Sequence, residues 1–148
     1  MSHANSNDLL PLLIILESIG KIEVYATRFT NAFDFFQNDD QMQFNASLLL
    51  LINIGEQANR LSETLRDKYP NVPFRQIRSL RNRVAHDYTG IDYEMVFDIV
   101  KTDLPALKPS LAYLIQAELG AGVFDQQELN VARQSHFYRH IDFTLLAP

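Results

Sequence analysis

The stretch "FNASLLLLINIGEQANRLSETLRDKY" (residues 44–69) decides the fold class. Phe44, Leu48, Leu51, Gly55, Ala58, Ser62, Leu65 and Tyr69 recur at alternating spacings of four and three. That is the repeat of a helix showing one face to a core. The small residues in its middle, Gly55, Ala58 and Ser62, would let a neighbouring backbone approach closely. Upstream, Ile15, Ile19, Ile22, Ala26, Phe29 and Phe33 mark one face of a long first helix, and "NDDQ" (38–41) between the two is turn chemistry. Downstream, "YPNVPF" (69–74) ends the second helix, because proline disfavours helical geometry in the residue before it.

A third helix is expected from about Phe74 to Tyr88, with Gly90 as its C-terminal cap. Asp92 reads as the N-cap of a fourth, carrying Met95, Val96, Ile99 and Val100 inward. Asp103 followed by Pro105 signals a fresh helix start, with Leu104, Leu107, Leu111 and Leu114 on the buried face. Period-2 strands and internal repeats are both missing from the pattern. The expected fold is all-α, an up-and-down bundle of about five helices whose first two form an antiparallel hairpin.

Residues 8–116 would form this bundle and residues 117–148 a C-terminal extension. After Glu118, "LGAGVFD" breaks the helix, and "DQQE" (125–128) has capping-box spacing for a short helix. The aromatic "SHFYRHIDFTLLAP" that follows cannot bury itself alone, so it is expected on the bundle or on a second subunit. His136 and His140 stand four apart, as helix-borne metal ligands do. A third ligand at useful spacing is lacking, so no metal site and no cofactor are assigned.

At 148 residues the chain suits one domain with a sizeable core. It contains no cysteine, which removes disulfides and thiolate metal sites. No apolar run approaches the ~18 residues of a membrane span. "LLPLLIIL" (9–16) lacks the basic flank and cleavage site of a signal peptide, so it reads as a buried helix start, and a cytoplasmic location is expected. The net charge of −5 argues against a general nucleic-acid binder, but it hides a split. Arg66, Lys68, Arg75, Arg78, Arg81 and Arg83 face only Asp67 within residues 66–86. A basic patch on an acidic body suits one specific anionic ligand, although arginines also simply solvate helix faces.

The patch culminates in "RSLRNRVAHDYTG" (78–90). On a regular helix Arg78, Arg81 and Tyr88 fall near one line, while Arg81 and His86 diverge by about 140°. A distorted helix end, or two copies of the helix meeting across a two-fold axis, would bring them together. Arginine offers a planar fork of donors for phosphate oxygens, and histidine exchanges protons near neutrality. Such a pair resembles the minimum apparatus for metal-free RNA cleavage, in which histidine deprotonates a ribose 2′-hydroxyl and arginine stabilises charge on the phosphoryl oxygens. DNA lacks that hydroxyl and would not react. The plainer alternative is a histidine capping the helix C-terminus.

The string "RNRVAHDY", from Arg81 to Tyr88, resembles the signature of the HEPN superfamily in the form carried by HepT-like toxins. The likeness extends through residues 53–107, including Gly55-Glu56 and the Asp103-Leu104-Pro105 triplet, and with the first helix covers roughly residues 8–116. It implies a homodimeric helical bundle acting as a metal-independent ribonuclease toxin, encoded beside a minimal nucleotidyltransferase antitoxin of the MntA type. Arg81 and His86 take the catalytic positions. Asn82 matches the residue that commonly follows the arginine, and Tyr88 the tyrosine that the antitoxin modifies with AMP. Arg78 and Arg83 join Asn82 as RNA contacts on charge and position alone. The extension after about residue 117 does not align with the family core. A second reading is a non-catalytic module that binds a nucleotide or a partner protein, with the same patch holding a phosphate for the nucleotidyltransferase.

Overall fold

A computed structural model describes residues 7–86 and 90–147, with His86 described through its backbone alone. The protein is all-helical, with no strand among the described residues. Its elements are α1 (Leu9–Ala26), α2 (Ala32–Arg60), α3 (Glu63–Lys68), α4 (Phe74–His86), α5 (Tyr93–Asp98), α6 (Leu104–Gly120) and α7 (Gln126–Arg133). Helix α2 lies between α1 and α4, and α6 closes the bundle against α1.

Helix α1 buries Ile15, Ile19, Ile22 and Ala26 as the periodicity requires, and also Leu9, Leu12, Leu13 and Leu16. It is apolar around most of its girth because it packs against both α2 and α6. Its start is held by Asp8, a buried carboxylate that accepts from Ser62 N at 2.9 Å and Ser62 Oγ at 2.6 Å.

The first helix is shorter than expected. It stops at Ala26, and Asn31 caps a new start by accepting from Asp34 N at 2.9 Å. Phe29 stays buried in the connection, whereas Phe33 is 49% exposed. The "NDDQ" stretch does turn the chain, but within α2: Asp39, Asp40 and Gln41 all have positive φ (49°, 55° and 67°). Aspartate tolerates that region better than most residues, and glutamine does not share the advantage. Gln43 braces the break through Asn38 (3.1 Å) and Asp39 (2.9 Å).

The second helix is also interrupted. Leu61 is extended, and Ser62 caps α3 by accepting from Leu65 N at 3.1 Å. Serine at 62 therefore acts through its hydroxyl rather than as a small interface residue. At the end of α3, Glu118 of α6 is buried between Lys68 Nζ (2.9 Å) and the Tyr69 hydroxyl (2.7 Å). Burial, then the hydrogen bond to Glu118, push the Tyr69 hydroxyl far above its ordinary range, so it remains a protonated donor.

Asp92 caps α5, accepting from Glu94 N and Met95 N. Helix α6 does begin after Asp103, but not as a capped fresh start: the Asp103 backbone is helical and its side chain caps no N–H. Instead a π-helical turn, Ile99–Asp103, carries α5 into α6. Pro105 has no N–H to donate, and the wider turn accommodates it without a break. Within that turn Lys101 Nζ donates to the Ala26 carbonyl at 2.7 Å, closing the C-terminal end of α1. Beyond α7, the tail lies on α1 and α6. Gly20 leaves room for it, since a Cβ there would stand 2.4 Å from His140 O. Glu17 accepts from His140 N and pairs with its Nδ1, both at 2.7 Å, while Phe143 and Leu146 are buried.

Candidate active site

Helix α4 is strongly amphipathic. Phe74, Ile77, Leu80 and Val84 are buried, leaving Arg75, Arg78, Arg81, Asn82 and Arg83 exposed. Gly55 sets how deeply it seats on α2: a Cβ there would lie 2.9 Å from Arg81 N and 3.2 Å from Arg81 Cβ. The two backbones thus touch at the residue that carries the candidate chemistry.

The close approach aligns two polar rows across the seam. Arg81 pairs through Nε with Glu56, and Arg78 Nε donates to Asn59 Oδ1 at 2.8 Å. Both rows have a spacing of three and run in opposite senses, as antiparallel helices demand. Each guanidinium is held by Nε, so its terminal nitrogens present their N–H groups on the outer edge, suited to a planar anion. The Arg81–Glu56 pair is half-exposed, so its value is orientation more than stability, at roughly 0.2–1 kcal/mol.

The remaining candidates are distributed differently. Arg83 faces the other way, onto a groove between α4 and α6 floored by Ile77, Leu80, Leu104 and Leu107. At about 100° per residue Arg83 is turned by about 200° from Arg81 and about 140° from Arg78, which separates it from both. Asn82 is exposed on the solvent side of α4. The His86 side chain and the whole of Tyr88 lie outside the described residues. The backbone is α-helical without interruption from Phe74 to His86, so positions 81 and 86 keep their ~140° divergence. Sequence reasoning missed the holding roles of Glu56 and Asn59, which depend on α2 and α4 lying side by side. His136 and His140 do not act together, since His140 is engaged with Glu17. No group of three or more His, Cys, Asp or Glu gathers among the described residues.

Residues 15–114 match the family described as Ribonuclease HepT-like. The chain belongs to the HepT-like ribonuclease family. The HepT-like match runs from within α1 to within α6 and takes in the whole α2–α4 seam. Similar proteins carry related names. A provisionally named RNase of Methanocaldococcus jannaschii is 36% identical over 96 residues, covering 64% of this chain and 84% of the relative. A provisionally named ribonuclease HepT of Thermococcus cleftensis is 31% identical over 94 residues, covering 64% of this chain and 83% of its own. No solved structure matches the chain. The match ends at residue 114, so α7 and the tail that packs on α1 and α6 lie wholly outside it.

Proposed function

We propose that this protein is a metal-independent endoribonuclease, the toxin of a toxin–antitoxin pair, and that it works as a homodimer in the cytoplasm. The observation that carries the reading is Arg81, held by Glu56 on the exposed edge of α4 inside the family match. His86 removes the proton from a ribose 2′-hydroxyl, whose oxygen attacks the adjacent phosphorus. The phosphorus–O5′ bond breaks, leaving a 2′,3′-cyclic phosphate and a free 5′-hydroxyl that takes up a proton. Arg81 stabilises the phosphoryl oxygens as their charge grows, and Asn82 lies beside this path. Arg83 contacts RNA only where a strand crosses α4.

The proposed dimer would use the same face. Met42 (66% exposed) and Leu49 (68%) are spaced by seven from each other and from Glu56, so all three lie on one line of α2. A second copy covering this apolar line would bring two α4 helices together, resolving the divergence of Arg81 and His86. The test is cleavage of a DNA strand carrying one ribonucleotide, in the presence of a chelator. Cutting confined to the ribose supports the mechanism; loss of cutting on chelation, or cutting of all-DNA, overturns it.

Regulation is proposed at Tyr88, the position of the modified tyrosine. A nucleotidyltransferase antitoxin transfers AMP from ATP to the hydroxyl, releasing pyrophosphate. The new phosphodiester, two residues from His86, then competes for the arginines that serve RNA phosphate. After incubation with that enzyme, ATP and Mg²⁺, intact mass should rise by whole AMP increments in the wild type and stay unchanged in Tyr88→Phe. A Tyr88→Phe protein still silenced by nucleotide transfer would place the switch elsewhere.

A further inference from the structure

Beyond Arg81 the basic residues continue into a feature the proposed chemistry leaves unused. Between α3 and the start of α4 lies an open groove of about 1020 Å³. Arg66, Arg75 and Arg78 line it, with Asp67 as the one acidic residue on its wall and Asn71 on the loop across from them. Arg66 donates through Nη1 to the Leu61 carbonyl, and Arg78 donates to Asn59, both at the C-terminal end of α2. Two of the three guanidiniums are therefore fixed before any ligand arrives, which lowers the entropy cost of binding. Pro73, directly before α4, has no side-chain acceptor to offer the helix's first N–H groups.

We propose that this groove binds the phosphodiester backbone of the RNA strand next to the scissile linkage, with Arg66 and Arg75 as contacts. The inference rests on the ribonuclease reading above. Arg75 and Arg81 are six residues apart on one straight helix, about 9 Å along its axis. Arg78 sits between them, so the cations form a continuous track from groove to reaction site. The groove takes a backbone rather than a base: its charges are planar donors, and Phe74, the aromatic residue on its wall, is buried in the core and offers little face for stacking. The excess of positive charge here, on an otherwise acidic body, orients the strand toward this end of the bundle.

Salt dependence reads this directly, because each phosphate contact on a single strand contributes about 0.7 to the slope of log affinity against log salt. The probe is a short fluorescein-labelled 2′-O-methyl RNA, which keeps the phosphates and lacks the reacting hydroxyl. The Arg66→Ala/Arg75→Ala protein should bind about tenfold more weakly at moderate salt, with a slope shallower by about 1.4. Arg75→Ala alone, at a solvent-facing position that spares the Leu61 contact, should give about half that change in slope. Arg66→Lys/Arg75→Lys should keep the slope, and Arg139→Ala, far along the chain in the tail, should match the wild type. A double variant with the wild-type slope, or an equal loss in Arg139→Ala, overturns the groove. A wild type that binds with the full slope yet cleaves no RNA sinks the ribonuclease reading and leaves the groove standing.

Discussion

Arg81→Ala and His86→Ala proteins should each lose RNA-cleaving rate by a factor of at least ~10², with melting temperatures close to the wild type. Removing a preorganised donor to developing charge costs about 10²–10³ in rate, and removing a general base about 10²–10⁴. Neither loss needs a change in fold. Arg81 is half-exposed, its ion pair with Glu56 is weakly stabilising, and truncation leaves Glu56 in contact with water. Arg81→Lys should fail almost as badly, because a point charge reproduces neither the Nε contact nor the planar fork. Single-turnover cleavage of a defined RNA, beside thermal melts of each variant, checks both halves. A fully active His86→Ala protein would remove histidine from the mechanism.

The second large effect is expected at Gly55. A Cβ there would meet backbone, Arg81 N at 2.9 Å, along with Arg81 Cβ and the Ile77 carbonyl. Backbone cannot rotate away as a flexible side chain can, so α4 must lift from α2. Overpacking of this kind costs about 1–3 kcal/mol, against a gain of up to ~1 kcal/mol in helix propensity when alanine replaces glycine. Gly55→Ala should therefore be mildly destabilised, and Gly55→Val, larger and β-branched, clearly so. The functional loss should exceed the stability loss, since lifting α4 separates Arg81 from Glu56 and Arg78 from Asn59. Cleavage measured well below the melting temperature isolates that component. Wild-type stability and rate in Gly55→Val would show that the close approach constrains nothing.

The same residue illustrates what the sequence revealed. Gly55 was readable as a point of backbone approach because it interrupts a leucine-rich face at the helical repeat. The buried faces of α1, α2 and α6 were readable for the same reason. Periodicity records which residues turn inward, however, and not whether the chain between them stays helical. Phe29 keeps the spacing of α1 while lying beyond its end. Ser62 keeps the spacing of α2 while its hydroxyl begins α3. In both places a local side-chain hydrogen bond, from Asn31 or Ser62, outcompeted continuation of the helix. Asp103 erred in the other direction: a residue suited to capping sits inside a π-helical turn, where Pro105 is tolerated.

At the site, Arg78 and Arg81 were identifiable from charge and helical spacing. Their partners were not, because Glu56 and Asn59 acquire meaning only once α2 and α4 are known to be neighbours. Arg83 shows the converse, since nearness in sequence to Arg81 gave no nearness in space.

The clasp between Glu17 and His140 sets an order on the protein's maturation. The two residues are separated by 123 positions. At 5–20 residues per second, a ribosome needs roughly 6–25 s to travel from one to the other. Throughout that interval the carboxylate of α1 lacks the partner that occupies it in the finished protein, and the face of α6 under Phe143–Leu146 is still uncovered when α6 is complete. Every helix of the α2–α4 seam has emerged well before then. The parts proposed to cut RNA are thus assembled first, and the strap that closes the opposite side of the bundle arrives last.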